Sequence, residues 1–203
     1  METDNVQAKQ LIHEVITNWV FWRDCCDWQQ FRSAWHDDAW MTASWFQGPA
    51  TEFIEASRRG VANGIRILHT LGGTTVDVHG PRAIAKTKVT IHQRAEIDGV
   101  EVDVTCKARH LDFFERRAGR WAIVRRESIY DQDRLDPLDP AAKPELDRAL
   151  LDRFPESYRH LAYVQTKLGG DVRADLPCRT DARVQQLEQK GRDWLMDADA
   201  PPS

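Results

Sequence analysis

The sequence predicts an α+β fold: N-terminal helices, then a mostly antiparallel sheet, then a helical C-terminal extension. Three observations carry this. Between residues 6 and 23 the apolar residues Ile12, Ile16 and Val20 recur every four positions, the spacing of one helical face. From Arg82 to Tyr130 apolar and polar residues alternate with period two, and Asp98-Gly99 and Ala118-Gly119 interrupt them as turn signals. After Asp131 prolines punctuate the chain, yet Phe154, Tyr158, Leu161, Tyr163 and Trp194 make it too apolar for a disordered linker.

Taken in order, Asp4 is placed to cap a helix over about residues 6–23. Asp27-Trp-Gln-Gln30 has the form of a capping box, so Asp27 starts a short second helix to about Ala34. His36-Asp37-Asp38 reads as a polar turn, and Trp40 to Phe46 as a strand. Gly48-Pro49 ends it. Pro49 suits the first turn of a helix to about Ala62, which Asn63-Gly64 closes. Ile65 to Val78 contains one strand, or two segments interrupted at Gly72-Gly73, and Gly80-Pro81 turns the chain. Arg82 to Glu96 sets Ala85, Thr87, Val89 and Ile91 on one face and Lys86, Lys88, Thr90 and His92 on the other. Val100 to Glu115 sets Val102, Val104, Cys106, Ala108 and His110 on a common face, and Arg120 to Tyr130 is the last strand. Short helices are expected near 144–153, 155–167 and 180–196. Residues 1–135 thus read as the main domain and 136–203 as an extension packed on it or on a partner subunit.

Composition excludes several function classes. A net charge of −4, with no basic arm, argues against a nucleic-acid binder. No stretch approaches eighteen apolar residues, and the N-terminus has no signal-peptide pattern, so no membrane segment is expected. The four cysteines match no zinc spacing, and adjacent Cys25 and Cys26 do not easily bridge each other. With no phosphate loop or dinucleotide fingerprint either, neither metal nor cofactor is expected. A cytoplasmic location with reduced thiols follows from the same reading.

Six of the eight tryptophans fall between Trp19 and Trp45, and Asp24 sits among them. Asp24 prolongs the stripe Ile12, Ile16, Val20, where an unpaired carboxylate would be costly. His69, in the apolar run Ile65-Arg-Ile-Leu-His69-Thr-Leu71, is the best partner. A carboxylate on one ring nitrogen fixes the tautomer and stabilises the imidazolium, which makes the histidine a proton-abstracting base. The same pair also reads as a core histidine satisfied by a structural acid. Trp19 and Trp40 flank the pair in sequence and are expected at the pocket wall. His110 reads equally as a substrate-orienting residue at the mouth of the cavity and as a core histidine. Arg126 and Tyr130 share a face of the last strand and are expected to contact substrate, with Arg125 on the opposite face. His92 is expected in solvent, and His13, His79 and His160 at the surface. An aromatic lining favours a small, flat, apolar substrate.

Asp24 followed by Asp27-Trp28, Trp35-His-Asp-Asp-Ala39, Gly48-Pro49, Leu68-His69 and Leu111-Asp-Phe-Phe-Glu-Arg-Arg-Ala-Gly-Arg-Trp121 together resemble the SnoaL-like branch of the NTF2-like superfamily. The resemblance covers about residues 5–131. It implies a cone: a curved, mostly antiparallel sheet enclosing a pocket closed by the N-terminal helices. The spacing of Asp24, Asp37-Asp38 and His69 is similar to that of hexachlorocyclohexane dehydrochlorinase, and scytalone dehydratase belongs to the same superfamily. The resemblance therefore implies a lyase that abstracts a proton with Asp24 and His69 and eliminates water, halide or formaldehyde from an aromatic compound in catabolism. Many members of the superfamily bind rather than catalyse, so a non-catalytic small-molecule-binding or assembly protein is the other reading. The convex face of such sheets commonly meets a symmetry mate, which implies a homo-oligomer, a dimer or trimer, with the extension packed across it.

Overall fold

The computed structural model describes residues 2–197, so the last residues of the extension, 198–203, lie outside the described residues. The elements run α1 (Glu2–Asp24), α2 (Trp28–Ser33), β1 (Trp35–Thr42), β2 (Gln47–Pro49), α3 (Ala50–Ala62), β3 (Arg66–His79), β4 (Arg82–Ile97), β5 (Val100–Arg117) and β6 (Arg120–Pro137). Then follow α4 (Arg148–Leu151), α5 (Arg159–Lys167) and α6 (Ala182–Met196). One open, curved sheet has the order β2-β1-β6-β5-β4-β3. Its pairings are antiparallel except that of β1 with β6, which is parallel. This is the α+β cone that the sequence predicts.

Local chemistry explains the boundaries. The Asp27 carboxylate accepts the Gln30 N–H at 3.1 Å and starts α2. Pro49 occupies the N-cap of α3, and Asn63 its C-cap. Asp98 and Gly99 both have positive φ (50° and 82°), as do Ala118 and Gly119 (49° and 80°), the conformation that matches a two-residue hairpin to the twist of its strands. Ile97 then faces Val100, and Arg117 faces Arg120.

Several expectations change. The strand expected from Trp40 to Phe46 stops at Thr42, and Gly48-Pro49, expected to break it, lie in β2 paired with Met41 and Trp40. α1 begins at Glu2, so Asp4 lies inside its first turn, where a carboxylate complements the helix dipole without being the cap. His36-Asp37-Asp38 belongs to β1. The register against β6 slips between Trp35 and Trp40, and Asp37 and Asp38 both face outward there, which breaks the alternation and imitates a turn. Of the two readings of residues 65–78 the single strand holds: β3 passes through Gly72-Gly73 with a register shift between Leu71 and Thr74, and a Cβ at Gly72 would lie 3.0 Å from that of Lys88. β6 continues past Tyr130 to Pro137, paired with residues 102–107 of β5.

Three apolar clusters hold the helices on this sheet. On the concave face, Trp19, Phe31, Trp35 and Phe53 from the N-terminal half pack on Ala83, Ala85, Phe114 and Ile123. On the same face, Phe154, Tyr158, Leu161 and Val164 cover Val89, Val102, Val104, Cys106 and Ala108. On the opposite face, Val184, Trp194 and Leu195 of α6 cover Ile84, Leu111, Phe113 and Val124. Burial of each large side chain contributes about 1.5–3 kcal/mol. The candidate site lies at the seam of the two concave-face clusters. No described helix is long and apolar enough to cross a membrane.

Candidate active site

The last residue of α1 and the concave face of β3 meet at this seam. Asp24 Oδ2 accepts the backbone N–H of His69 at 2.6 Å, and Oδ1 accepts its Nδ1–H at 2.8 Å. Two bonds to one residue fix both the strand and the ring. Both side chains are about nine-tenths buried, with 10% and 9% exposure, and the Arg23 guanidinium lies 3.5 Å from Asp24 Oδ1. With Nδ1 committed, Nε2 is the nitrogen left for the cavity that His69 lines.

That cavity measures about 30 Å³ and is walled by Trp19, Met41, Phe53, His110 and Tyr130, among others. It has room for one water-sized group. Trp19 is its hub: its ring meets His69 at 5.6 Å and His110 at 5.9 Å edge-on, and stacks on Phe53 at 6.5 Å. Burial pulls His69 below its ordinary pKa, against the upward pull of Asp24. Burial pulls His110 down further, with Arg126 and His69 adding to it. Both rings are therefore neutral near pH 7, and Nε2 of His69 keeps its lone pair. Burial also pushes the Tyr130 phenol up, so it stays protonated, and its oxygen accepts the Ser44 N–H at 2.9 Å.

Trp19, His69, His110 and Tyr130 thus converge on one cavity, with Asp24 behind His69. Two of the residues expected to line the pocket stand elsewhere. Trp40 points away from the concave face and is 43% exposed, while its neighbour Met41 lines the cavity. The register slip in β1 changes which residues face inward, and proximity in sequence to Asp24 does not compensate. Arg126 is on the concave face but beneath Trp19, its Cζ 4.2 Å from the ring centroid, and is not among the cavity walls. There it makes a two-pronged pair with Asp112 at 2.6 and 2.8 Å, and both residues are almost completely buried. It supports the aromatic wall without touching the space in front of it.

Among the residues that sequence reasoning missed are Arg23, Ser44 and Gln165, which line the cavity, and Asp112, the partner of Arg126 behind it. Asp112 was findable, since it follows His110 by two on the inward face and needs a partner as Asp24 does. Ser44 Oγ donates to Gln165 Oε1 at 2.7 Å across 121 residues, and no sequence pattern links them. Among the described residues no group of three or more His, Cys, Asp or Glu side chains is placed to hold a metal ion.

A second Asp–His pair exists. Asp133 of β6 accepts the His160 N–H at 2.7 Å, the Leu161 N–H at 2.8 Å and the His160 Nδ1–H at 2.9 Å. His160 is half-buried rather than free on the surface.

The SnoaL-like domain model matches residues 4–127. Pea pathogenicity protein 2 of Fusarium vanettenii is 35% identical over 179 residues, which cover 86% of this chain and 77% of the relative. A PEP2-like protein of the same fungus is 36% identical over 170 residues, covering 82% and 73%. Both matches continue beyond the family domain into the C-terminal extension. In structure, the chain is similar to a putative scytalone dehydratase from Novosphingobium aromaticivorans (TM-score 0.57, 15% identity, 71% of this chain and 100% of that one). It is also similar to a hexachlorocyclohexane dehydrochlorinase from Novosphingobium barchaimii (TM-score 0.53, 16% identity, 72% and 99%). At these identities the structural likeness shows the fold alone.

Proposed function

Because the chain belongs to the SnoaL-like domain family, we propose that it is a cofactor-free lyase acting on a small, apolar, aromatic compound. The carrying observation is the Asp24–His69 bond at 2.8 Å, which commits Nδ1 and leaves Nε2 at a cavity walled by aromatic side chains. In this reading Nε2 takes the substrate proton, and the electron pair left behind forms the new double bond: from a C–H it forms C=C and expels halide, or hydroxide that takes the proton back from the imidazolium and leaves as water; from a hydroxymethyl O–H it forms the C=O of formaldehyde as the C–C bond breaks, and the ring carbon takes the proton back. Asp24 stabilises the imidazolium as it forms and is not itself protonated. A base so placed contributes ~10²–10⁴ in rate. His110 and Tyr130 face the same space, and the protonated phenol can donate to a departing oxygen or halide. Arg126 and Asp112 hold Trp19 and neutralise each other beneath it. The superfamily members with which the chain shares its fold include a dehydrochlorinase and a putative dehydratase, which support elimination as the reaction class.

A second reading, a binding protein without catalysis, draws on the Asp133–His160 pair. It shows that this chain also uses the Asp–His arrangement where a helix has to be tied to the sheet. The two readings separate in one experiment. The protein is incubated in D₂O with a panel of β-hydroxy and β-chloro ring compounds, and NMR follows both deuterium uptake at the acidic C–H and release of the leaving group. At least one compound is expected to react with the full chain, and His69→Ala to lose both signals. An active His69→Ala protein would refute the lyase reading.

A further inference from the structure

On the face of the sheet opposite the cavity, α6 covers Ile84 and Leu111, while Lys88 and Lys107, further along the same two strands, are exposed. There lies a groove of about 680 Å³, within the size range of small-molecule sites. Its floor is two rows of residues set side by side by the strand register. One row runs Gly72, Lys88, Arg109, and the next Thr70, Thr90, Lys107, Gln132. Arg179, from the segment before α6, joins them.

Opposite charges facing each other across two strands stabilise a sheet; here the register does the reverse. Lys88 lies directly across from Arg109, and Lys107 is the diagonal neighbour of Lys88. Facing residues are ~5 Å apart at Cβ and diagonal ones about 7–8 Å, and like charges directly opposite destabilise the pairing. Asp131 relieves one of the four cations in the groove. It accepts the Arg109 Nε–H at 3.1 Å and the Nη2–H at 2.8 Å, which also fixes the guanidinium. Among the described residues Lys88, Lys107 and Arg179 have no acidic partner. Cations beyond the groove do: Lys86 has Glu188, Arg94 has Asp103 and Arg134 has Asp136. The positive excess is therefore local, on a protein whose net charge is −4.

Such a cluster costs the fold stability, and an anion offsets that cost. Thr70, Thr90 and Gln132 place further hydrogen-bond donors among the cations. The extent of the cluster selects the anion. A nucleic acid or an anionic membrane engages cations spread along a surface, and the net charge of −4 repels both. A second copy mated about a two-fold axis through the groove would set these cations against their own copies. The unpaired lysines instead stand on two adjacent strands, and their flexible side chains converge on one small group. We propose that the groove binds a small soluble compound carrying two or more linked phosphate groups. Lys88, Lys107 and Arg179 hold the phosphate oxygens, and Asp131 presents Arg109 to them. The site lies across the sheet from His69 and does not depend on the lyase reading.

The test is calorimetric titration of the full chain at low ionic strength with inorganic pyrophosphate and, separately, orthophosphate. Pyrophosphate is expected to bind at least ~10-fold more tightly, since it carries more charge and more oxygens for the same cations. Lys88→Gln and Lys107→Gln should each weaken pyrophosphate at least ~5-fold, whereas Lys143→Gln, outside the groove, should leave it unchanged. Both groove lysines are exposed, so these variants fold. Without ligand, Lys88→Gln should melt about 1–3 °C above wild type, because the like-charge pair is gone. His69→Ala should bind pyrophosphate as before, so a failed groove and a failed lyase reading give different results. Equal affinity for the two anions overturns the proposal, as does undiminished pyrophosphate binding in Lys88→Gln and Lys107→Gln. An unraised melting temperature in Lys88→Gln removes the cost that calls for an anion and counts equally against it. Tighter binding to phosphatidylserine vesicles or to single-stranded RNA than to pyrophosphate would overturn the choice of a small ligand.

Discussion

Asp24–His69 and Asp133–His160 are near-copies at the level of bonds. In each, one carboxylate accepts both the backbone N–H and the Nδ1–H of the same histidine, at 2.6 and 2.8 Å in the first and 2.7 and 2.9 Å in the second. They differ in what surrounds the second ring nitrogen and in what else the carboxylate does. Asp133 also takes the Leu161 N–H, so it caps the first turn of α5 and fastens the extension to β6. Asp24 instead has Arg23 beside it, and its histidine faces Trp19 and a cavity. Pair geometry therefore does not define a base. A base needs a free nitrogen in a closed space that a substrate enters.

The sharpest way to break this contrast is activity. Asp24→Asn and His69→Ala are each expected to lower turnover ~10²–10⁴-fold, and the double variant to be little worse than either, because the two act as a unit. His160→Ala should stay within about twofold of wild type; additive losses at the first pair, or a comparable loss at the second, would erase the distinction. Stability should show the reverse order. Asp133→Ala strands three donors at a buried helix start and is expected to cost about 2–4 kcal/mol in urea unfolding. If it unfolds at the wild-type midpoint, the pair does not fasten α5.

Acid sharpens the comparison further. His69 and His110 are held below their ordinary value chiefly by burial, so they are neutral in the fold while the unfolded chain takes up protons near pH 6.5. The stability they contribute is complete above about pH 6.5 and is lost as the pH falls from there toward the lower folded values. The melting temperature should drop between pH 7 and pH 5, and His110→Phe should flatten the drop; an unchanged slope would remove His110 from the account. Buried His36, lowered by the same cause, adds to the decline. The smallest effect is expected at Trp40→Ser, within about 0.5 kcal/mol in stability and unchanged in turnover, since the ring is exposed. A large loss of turnover there would restore Trp40 to the pocket.

Legibility followed the range of the interactions. Asp27, Pro49, Asn63-Gly64 and the two hairpin turns act within a few residues, and their chemistry could be read directly. The pairing of Asp24 with His69 spans 45 residues, yet it was readable because each side chain lies on an otherwise apolar face and so needs a partner. Trp40 and His36-Asp37-Asp38 were misread because a register slip against β6 is a property of two strands and leaves no mark in one of them. Arg126 was placed on the right face, but only the packing of α1 put Trp19 between it and the cavity. Gln165 was out of reach: what makes it a wall of the site is the docking of a helix from the far end of the chain.

That docking sets an order of events during synthesis. When residue 137 has been added, every strand of the sheet exists, but Val102, Val104 and Cys106, all at 0% exposure in the finished protein, still lack the α5 residues that cover them. About thirty more residues must be translated before α5 is complete, on the order of seconds at typical elongation rates. Until α5 docks, that apolar strand surface is bare, a vulnerable moment for aggregation. The wall of the cavity at His69 is completed last, by a contact between residue 44 and residue 165.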